Sequence, residues 1–323
     1  MKPPWYIRQT EFDGAWAVTH GTPEVFIAIL DTGLDLAPRR SGWSPRHPAF
    51  QPYWRFRLGR NHVHPLSVPL DASGHGTGVA GVLAAGPYAL APACSFLVVK
   101  VEAARIPDPE RLWAQGLVEC VEFAATRGKR VVVNMSLGGR ATAEMTEAVR
   151  LAADTDVPIV AVAHNDGRDE TRYPARLSLE YPNVICVGAV DRSGDRARDR
   201  RTGRASNLGS SVTILAPGVG IRTTGLGGTW RRYSGTSVAA PFVAAALSLM
   251  WSVNPALGTA ALREHLVASA DRVQRTKAQV PLHPRLNARR AVEAAAACSP
   301  SRRRAAVAWT PAAFSPNIRQ PAV

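Results

Sequence analysis

Six short runs along the chain are almost purely apolar: VFIAILD (25–31), SFLVVKV (95–101), RVVVNMS (130–136), VPIVAVA (157–163), VICVGAV (184–190) and VTILAPG (212–218). A strand-length run without alternating polar positions has no face to give to water, so each predicts a strand covered on both sides, as in a parallel sheet. Between the runs lie stretches of helical character around 75–85, 109–127, 142–155 and 237–252, followed by ALREHLVASA (261–270) and LNARRAVEAAAA (286–297). Strands alternating with helices predict an α/β fold, a mostly parallel β-sheet sandwiched between helices. The longest apolar stretch, 238–251, is interrupted by Pro241 and Ser248. It falls short of the roughly 20 residues a bilayer crossing needs and reads as a buried core helix, so no membrane span is expected.

Two segments depart from this rhythm. Residues 36–70, rich in Pro, Arg, His and aromatics, suggest a long surface excursion. Residues 298–323 hold four Arg, four Pro and no acid, which suggests a flexible Pro/Arg-rich tail. The expected organisation is a single domain over 1–297 followed by that tail. A chain of 323 residues, 46% hydrophobic and 20% charged, can bury a sizeable core and is neither a disordered acidic chain nor a fibrous repeat.

Charge adds a question. Lys plus Arg number 39 against 25 acids, a balance of +14, and only four of the 39 are Lys. An Arg-rich surplus fits an anionic partner, and it fits equally an Arg bias spread along the whole chain by coding composition. Six of the Arg fall in DRSGDRARDRRTGR (191–204) beside three Asp, a pattern of an expanded surface loop that lacks the aromatics single-stranded nucleic acid would stack on. A nucleic-acid partner is therefore not expected. Cys94, Cys120, Cys186 and Cys298 have no metal-ligand spacing and read as unpaired thiols. His62 and His64 in NHVH lack a third ligand at a useful spacing, and no metal site is predicted.

One residue of each kind needed for serine-type acyl transfer stands at a structurally apt place. Asp31 ends the first apolar run in ILDTGLD, where it would project from the carboxyl edge of the sheet. His75 opens a small-residue helix in SGHGTGVAG, and Ser237 follows Gly235 in SGTSVAAPF, at the start of a long helix whose positive end favours developing negative charge. These three blocks, in the order Asp, His, Ser, resemble the subtilases, the subtilisin-like serine peptidases. The resemblance runs from near Trp5 to about residue 296.

It implies a serine endopeptidase that cuts extended protein or peptide segments through an Asp31–His75–Ser237 triad and an acyl-enzyme, with no cofactor required. NMSLGG (134–139) is similar to the family's substrate-binding strand end, which implies that Ser136, Leu137 and Gly138 line one wall of the specificity pocket. VAVAHNDG (160–167) is similar to its oxyanion block, which implies Asn165 as oxyanion donor with Ala163 and His164 beside the substrate. The other reading of the same resemblance is a catalytically silent peptide-binding or scaffold protein.

Several positions differ from the family pattern. Gly78 stands where a second His is usual. His164 replaces a small Gly, and its imidazole could narrow the pocket, admit acidic side chains or face the surface. The 82–96 stretch is short for the family's calcium loop and lacks its Asn and Asp ligands, so the structural calcium open to the family is not expected here. With no apolar leader near Met1 the expected location is cytoplasmic, the alternative being secretion of a product whose leader is missing from the chain. A monomer is expected.

Overall fold

Each of the six apolar runs forms a strand. The computed structural model describes residues 2–40, 42–199, 202–272 and 283–298. In chain order its elements are α1 (Trp5–Gln9), α2 (Phe12–Val18), β1 (Val25–Asp31), β2 (Leu36–Arg39), β3 (Gly42–Pro45), β4 (Phe56–Asn61), α3 (His75–Ala84), β5 (Ser95–Lys100), α4 (Pro109–Arg127), β6 (Arg130–Met135), α5 (Ala143–Asp154), β7 (Ile159–Val162), β8 (Val184–Val190), β9 (Ile214–Pro217), β10 (Ile221–Gly225), β11 (Thr229–Tyr233), α6 (Thr236–Val253), α7 (Thr259–Ala268) and α8 (Ala288–Ala297). Seven strands make one sheet in the order β4-β5-β1-β6-β7-β8-β9, and every neighbouring pair is parallel. The chain builds leftward and rightward from β1, so the order reverses there, the place where an open α/β sheet leaves a crevice at its carboxyl edge.

Alternation along β1 divides the core in two. Val25, Ile27 and Ile29 pack with α3, α6 and α8, while Phe26, Ala28 and Leu30 pack with α4 and α5. Helix α6 lies along the first face with 83% of its apolar window buried, so it is the expected core helix, although its composition and length would pass for a membrane span. Each fully buried Val, Leu or Phe on it contributes about 1.5–3 kcal/mol of hydrophobic stabilisation.

The 36–70 segment is more structured than its composition suggests. It holds the antiparallel β2–β3 hairpin and the edge strand β4, which pairs with β5. Strand β4 reads FRLGRN, with Arg57 and Arg60 exposed and Asn61 buried, so it shows no continuous apolar run. His62, just past it, is tied to α4, its Nε2 meeting Glu119 Oε2 at 2.7 Å. Arg302, Arg303 and Arg304 and the rest of the tail beyond Cys298 lie outside the described residues.

Candidate active site

Strand parity decides where Asp31 points. It continues the odd-numbered positions of β1, those facing α3 and α6, and it is fully buried at the strand's end. Its Oδ1 accepts from the Thr32 amide at 2.8 Å and contacts His75 Nδ1 at 2.7 Å, while Oδ2 is buried with no protein partner among the described residues. His75 is the first residue of α3, and its side chain is 35% exposed. The helix start comes this close to β1 because Gly76 has no side chain; a Cβ there would collide with the Gly33 carbonyl oxygen.

The loop that delivers His75 is organised by a residue with no obvious chemistry, Asp71. Its buried carboxylate accepts from Thr32 Oγ1 (2.8 Å), Ser73 N (2.9 Å) and Gly74 N (2.9 Å) through Oδ1, and from Thr77 N (2.9 Å) and Thr77 Oγ1 (2.7 Å) through Oδ2. Gly76 N in turn donates to Thr32 Oγ1 at 2.9 Å, so the end of β1 and the first turn of α3 form one hydrogen-bonded unit. Asp31 is the leading cause that raises the His75 pKa to about 8; burial opposes it, and Asp71 and Glu102 add to it. Burial pushes the Glu102 carboxyl above its ordinary range, against the pull of the Trp113 indole that donates to it at 2.9 Å.

Ser237 is the second residue of α6, half-buried, with its carbonyl held by Ser136 Oγ at 2.9 Å. The helix begins after Gly235, whose φ of 131° is costly for any residue with a Cβ and whose missing side chain leaves room for the Asn165 amide. Asn165 follows β7, the neighbour of β6. Its Oδ1 accepts from the Thr236 amide at 3.0 Å, a bond that does not engage the Nδ2 hydrogens. The N-cap residue, Gly235, has no side chain to offer the first turn, so apart from the Thr236 amide held by Asn165 the positive end of α6 stays directed at the site.

Of the wall expected at 136–138, the Ser136 hydroxyl is turned to Ser237 and the Leu137 side chain is buried in the α4/α5 core, so the two can present only backbone to a substrate. The Ala163 side chain is likewise buried in that core. Gly138 is the open position, and across from it lies His164. The imidazole, with 32% of its side chain exposed, leans on Gly138: a Cβ placed there would be 3.0 Å from its Cδ2 and 3.4 Å from Arg172 Cβ. His164 has φ +82°, a conformation that costs a residue with a Cβ on the order of 1–2 kcal/mol. Burial lowers its pKa.

Gly78, the place of the family's second His, is covered by the Tyr233 ring, which would sit 3.0 Å from a Cβ there, and the Tyr233 hydroxyl donates to Gly74 O at 3.2 Å. Sequence reasoning missed Asp71, Glu102 and Arg172. Only Asp71 carried a local signal, an acid closely preceding Ser-Gly, as in an Asx turn. Among the described residues no group of three or more His, Cys, Asp or Glu could hold a metal ion.

Comparison with known proteins agrees with this architecture. The profile of the Subtilase family matches residues 22–287. Subtilisin Savinase of Lederbergia lenta is 33% identical over 273 residues, covering 83% of this chain and 91% of that protein. The alkaline protease of Shouchella clausii is also 33% identical, and there the chain spans 64% of the relative's length. Among solved structures, a cold-adapted subtilisin-like serine proteinase superposes with a TM-score of 0.69 at 25% identity, covering 83% of this chain and 90% of its own. The prenylagaramide maturation protease PagA gives 0.68 at 28%, covering 88% and 98%. A match of this extent, on a sheet of the same architecture, makes the chain a member of the subtilase family of serine peptidases.

Proposed function

We propose that Asp31, His75 and Ser237 form the catalytic triad and that Asn165 serves as an oxyanion donor, so that the chain hydrolyses peptide bonds in extended protein segments through an acyl-enzyme. The observation that carries this reading is the 2.7 Å bond from His75 Nδ1 to the buried Asp31 carboxylate. With Asp31 ionised, that bond favours the tautomer with the ring proton on Nδ1, which leaves Nε2 to act as the base. Ser237 Oγ forms a bond to the scissile carbonyl carbon while its proton passes to His75 Nε2, and Asp31 stays ionised and stabilises the imidazolium. Negative charge on the carbonyl oxygen meets the Asn165 Nδ2 donor and the Ser237 backbone N–H at the start of α6. His75 then protonates the leaving amine as the C–N bond breaks. Water repeats the sequence on the ester, its proton passing through His75 back to Ser237.

The test is covalent labelling by a fluorophosphonate probe. Wild type is expected to be labelled at Ser237, with Ser237→Ala unlabelled and His75→Ala labelled far more slowly. Folded wild-type protein that takes no label, or Ser237→Ala that still cleaves a casein substrate at the wild-type rate, overturns the proposal.

A further inference from the structure

Five non-glycine residues among those described have positive φ, and one of them, His164, stands next to the proposed oxyanion donor. Glycine would adopt this backbone freely, so the imidazole is kept against a conformational penalty, and its surroundings show what holds it. Nδ1 contacts Asp166 Oδ2 at 3.1 Å. The same carboxylate takes a two-pronged grip from Arg172, Nε to Oδ2 at 2.7 Å and Nη2 to Oδ1 at 3.0 Å, and a weaker bond from Asn207 Nδ2 at 3.4 Å. Asn207 braces the backbone as well: its amide donates to His164 O at 2.7 Å, and its Oδ1 accepts from Asp166 N at 2.7 Å.

This braced unit sits in the cleft between the ends of β6 and β7. Ser136, at the end of β6, is bonded to Ser237 O, and Asn165, at the end of β7, is bonded to Thr236 N. A substrate with its carbonyl carbon at Ser237 Oγ and its oxygen at Asn165 must send the adjoining side chain between those two strand ends. There it meets the His164 ring edge and the Arg172 stem, which crowd Gly138 so closely that a methyl group there would fit only if they gave way.

We propose that His164 and Arg172, cross-braced by Asp166, fill this cleft and restrict the residue whose carbonyl is attacked to Gly, Ala or Ser. The discrimination is by size and not by charge. Nε and Nη2 of Arg172 are already engaged by Asp166, and burial lowers the His164 pKa and so disfavours the charged ring, so the unit offers an acidic side chain no cation in excess of its own carboxylate.

This inference rests on the peptidase reading, and the experiment separates the two. Wild type, His164→Gly, Arg172→Ala and the double variant are compared on peptide substrates differing only at the residue before the cut, with Ser237 labelling followed in parallel. Glycine suits the backbone at 164, so His164→Gly is expected to fold at least as well as wild type, which a melting curve checks. Wild type should prefer Ala over Phe by about 100-fold in kcat/KM, within the range a hydrophobic pocket can discriminate by size. His164→Gly should raise the Phe rate by about tenfold and the double variant by more, since each removes part of the obstruction. Labelled wild type that cuts after Phe or Leu as readily as after Ala, that prefers Asp or Glu, or whose Ala-to-Phe ratio is unmoved in His164→Gly overturns this inference alone. An unlabelled folded enzyme overturns the peptidase reading instead.

Discussion

Replacing Asp31 with asparagine tests the electrostatics at the centre of the site. The His75 pKa, ordinarily 6.5, is raised to about 8, with the Asp31 charge as leading cause and burial acting in the opposite direction. In the proposed triad the base is the neutral imidazole. With a pKa near 8, roughly one-tenth of it is neutral at pH 7 and nine-tenths at pH 9, so kcat/KM should climb about tenfold across that interval. In Asp31→Asn the leading cause disappears and burial is left opposing the smaller contributions of Asp71 and Glu102, so the acid limb should fall back toward the ordinary 6.5 and the profile from 7 to 9 should be nearly flat. Turnover itself should fall by about ten-thousandfold, the size seen for this replacement in a serine-protease triad, because a neutral amide neither selects the tautomer nor stabilises the imidazolium. The measurement is kcat/KM on a fluorogenic peptide with Ala before the cut from pH 5 to 10, alongside a proton NMR titration of His75 in Ser237→Ala. A wild-type limb below pH 6.5, or an Asp31→Asn limb still near 8, would refute the reasoning. Stability follows the same linkage. A histidine whose pKa is raised in the folded state contributes stabilisation that is complete below pH 6.5 and lost as pH rises through about 8.

Three further outcomes are expected. Asn165→Ala should lower kcat by about a hundred- to a thousandfold, the magnitude known for an oxyanion asparagine in a subtilisin, with KM nearly unchanged; an equal loss in KM would point to a substrate-binding role instead. Asp71→Ala should destabilise by about 3 kcal/mol in urea unfolding, since five hydrogen bonds of 2.7–2.9 Å lose their shared acceptor and several buried donors are left unpaired. Of the four cysteines, only Cys298 should react promptly with a thiol reagent in the native state: Cys94, Cys120 and Cys186 are buried, and burial pushes Cys94 up to about 11, Cys186 up to about 12 and Cys120 well above its ordinary value. Rapid loss of two or more thiols without unfolding would contradict that burial.

The fold was legible where local chemistry and tertiary environment coincide. A strand buried on both faces tends to be apolar along its length, as β8 is throughout and β1 is up to its terminal Asp31. Strand β4 has one open edge, so water solvates Arg57 and Arg60 while β5 supplies the pairing, and nothing in FRLGRN alone distinguishes it from a loop. The β10–β11 hairpin, TWRRY on its second strand, is mostly exposed there and escaped for the same reason. Edge and surface strands take their identity from the partner, and the partner is remote in sequence.

The site divides along a similar line. The proposed triad residues Asp31, His75 and Ser237 stand at a strand end or a helix start, each a weak signal by itself and specific only as a set, and Asn165 was read only through the resemblance of its block. Asp71 supports His75 through bonds of short sequence range, and its position ahead of Ser73 and Gly74 carried a usable signal. Arg172 is different in kind. It reaches the cleft only because Gly139 and Tyr173 pair across it, N–H to O at 2.9 and 3.2 Å, which swings residue 172 against Gly138 although 34 positions separate them. His164 could be flagged from sequence as a bulky residue where the family has a small one, yet whether it narrows the pocket, attracts charge or faces solvent depends on a backbone angle and on the Asp166–Arg172 pair. The chemistry of the reaction is thus written in contiguous blocks, whereas the limit on what may be cut is set by a contact between three segments, which no one of them contains.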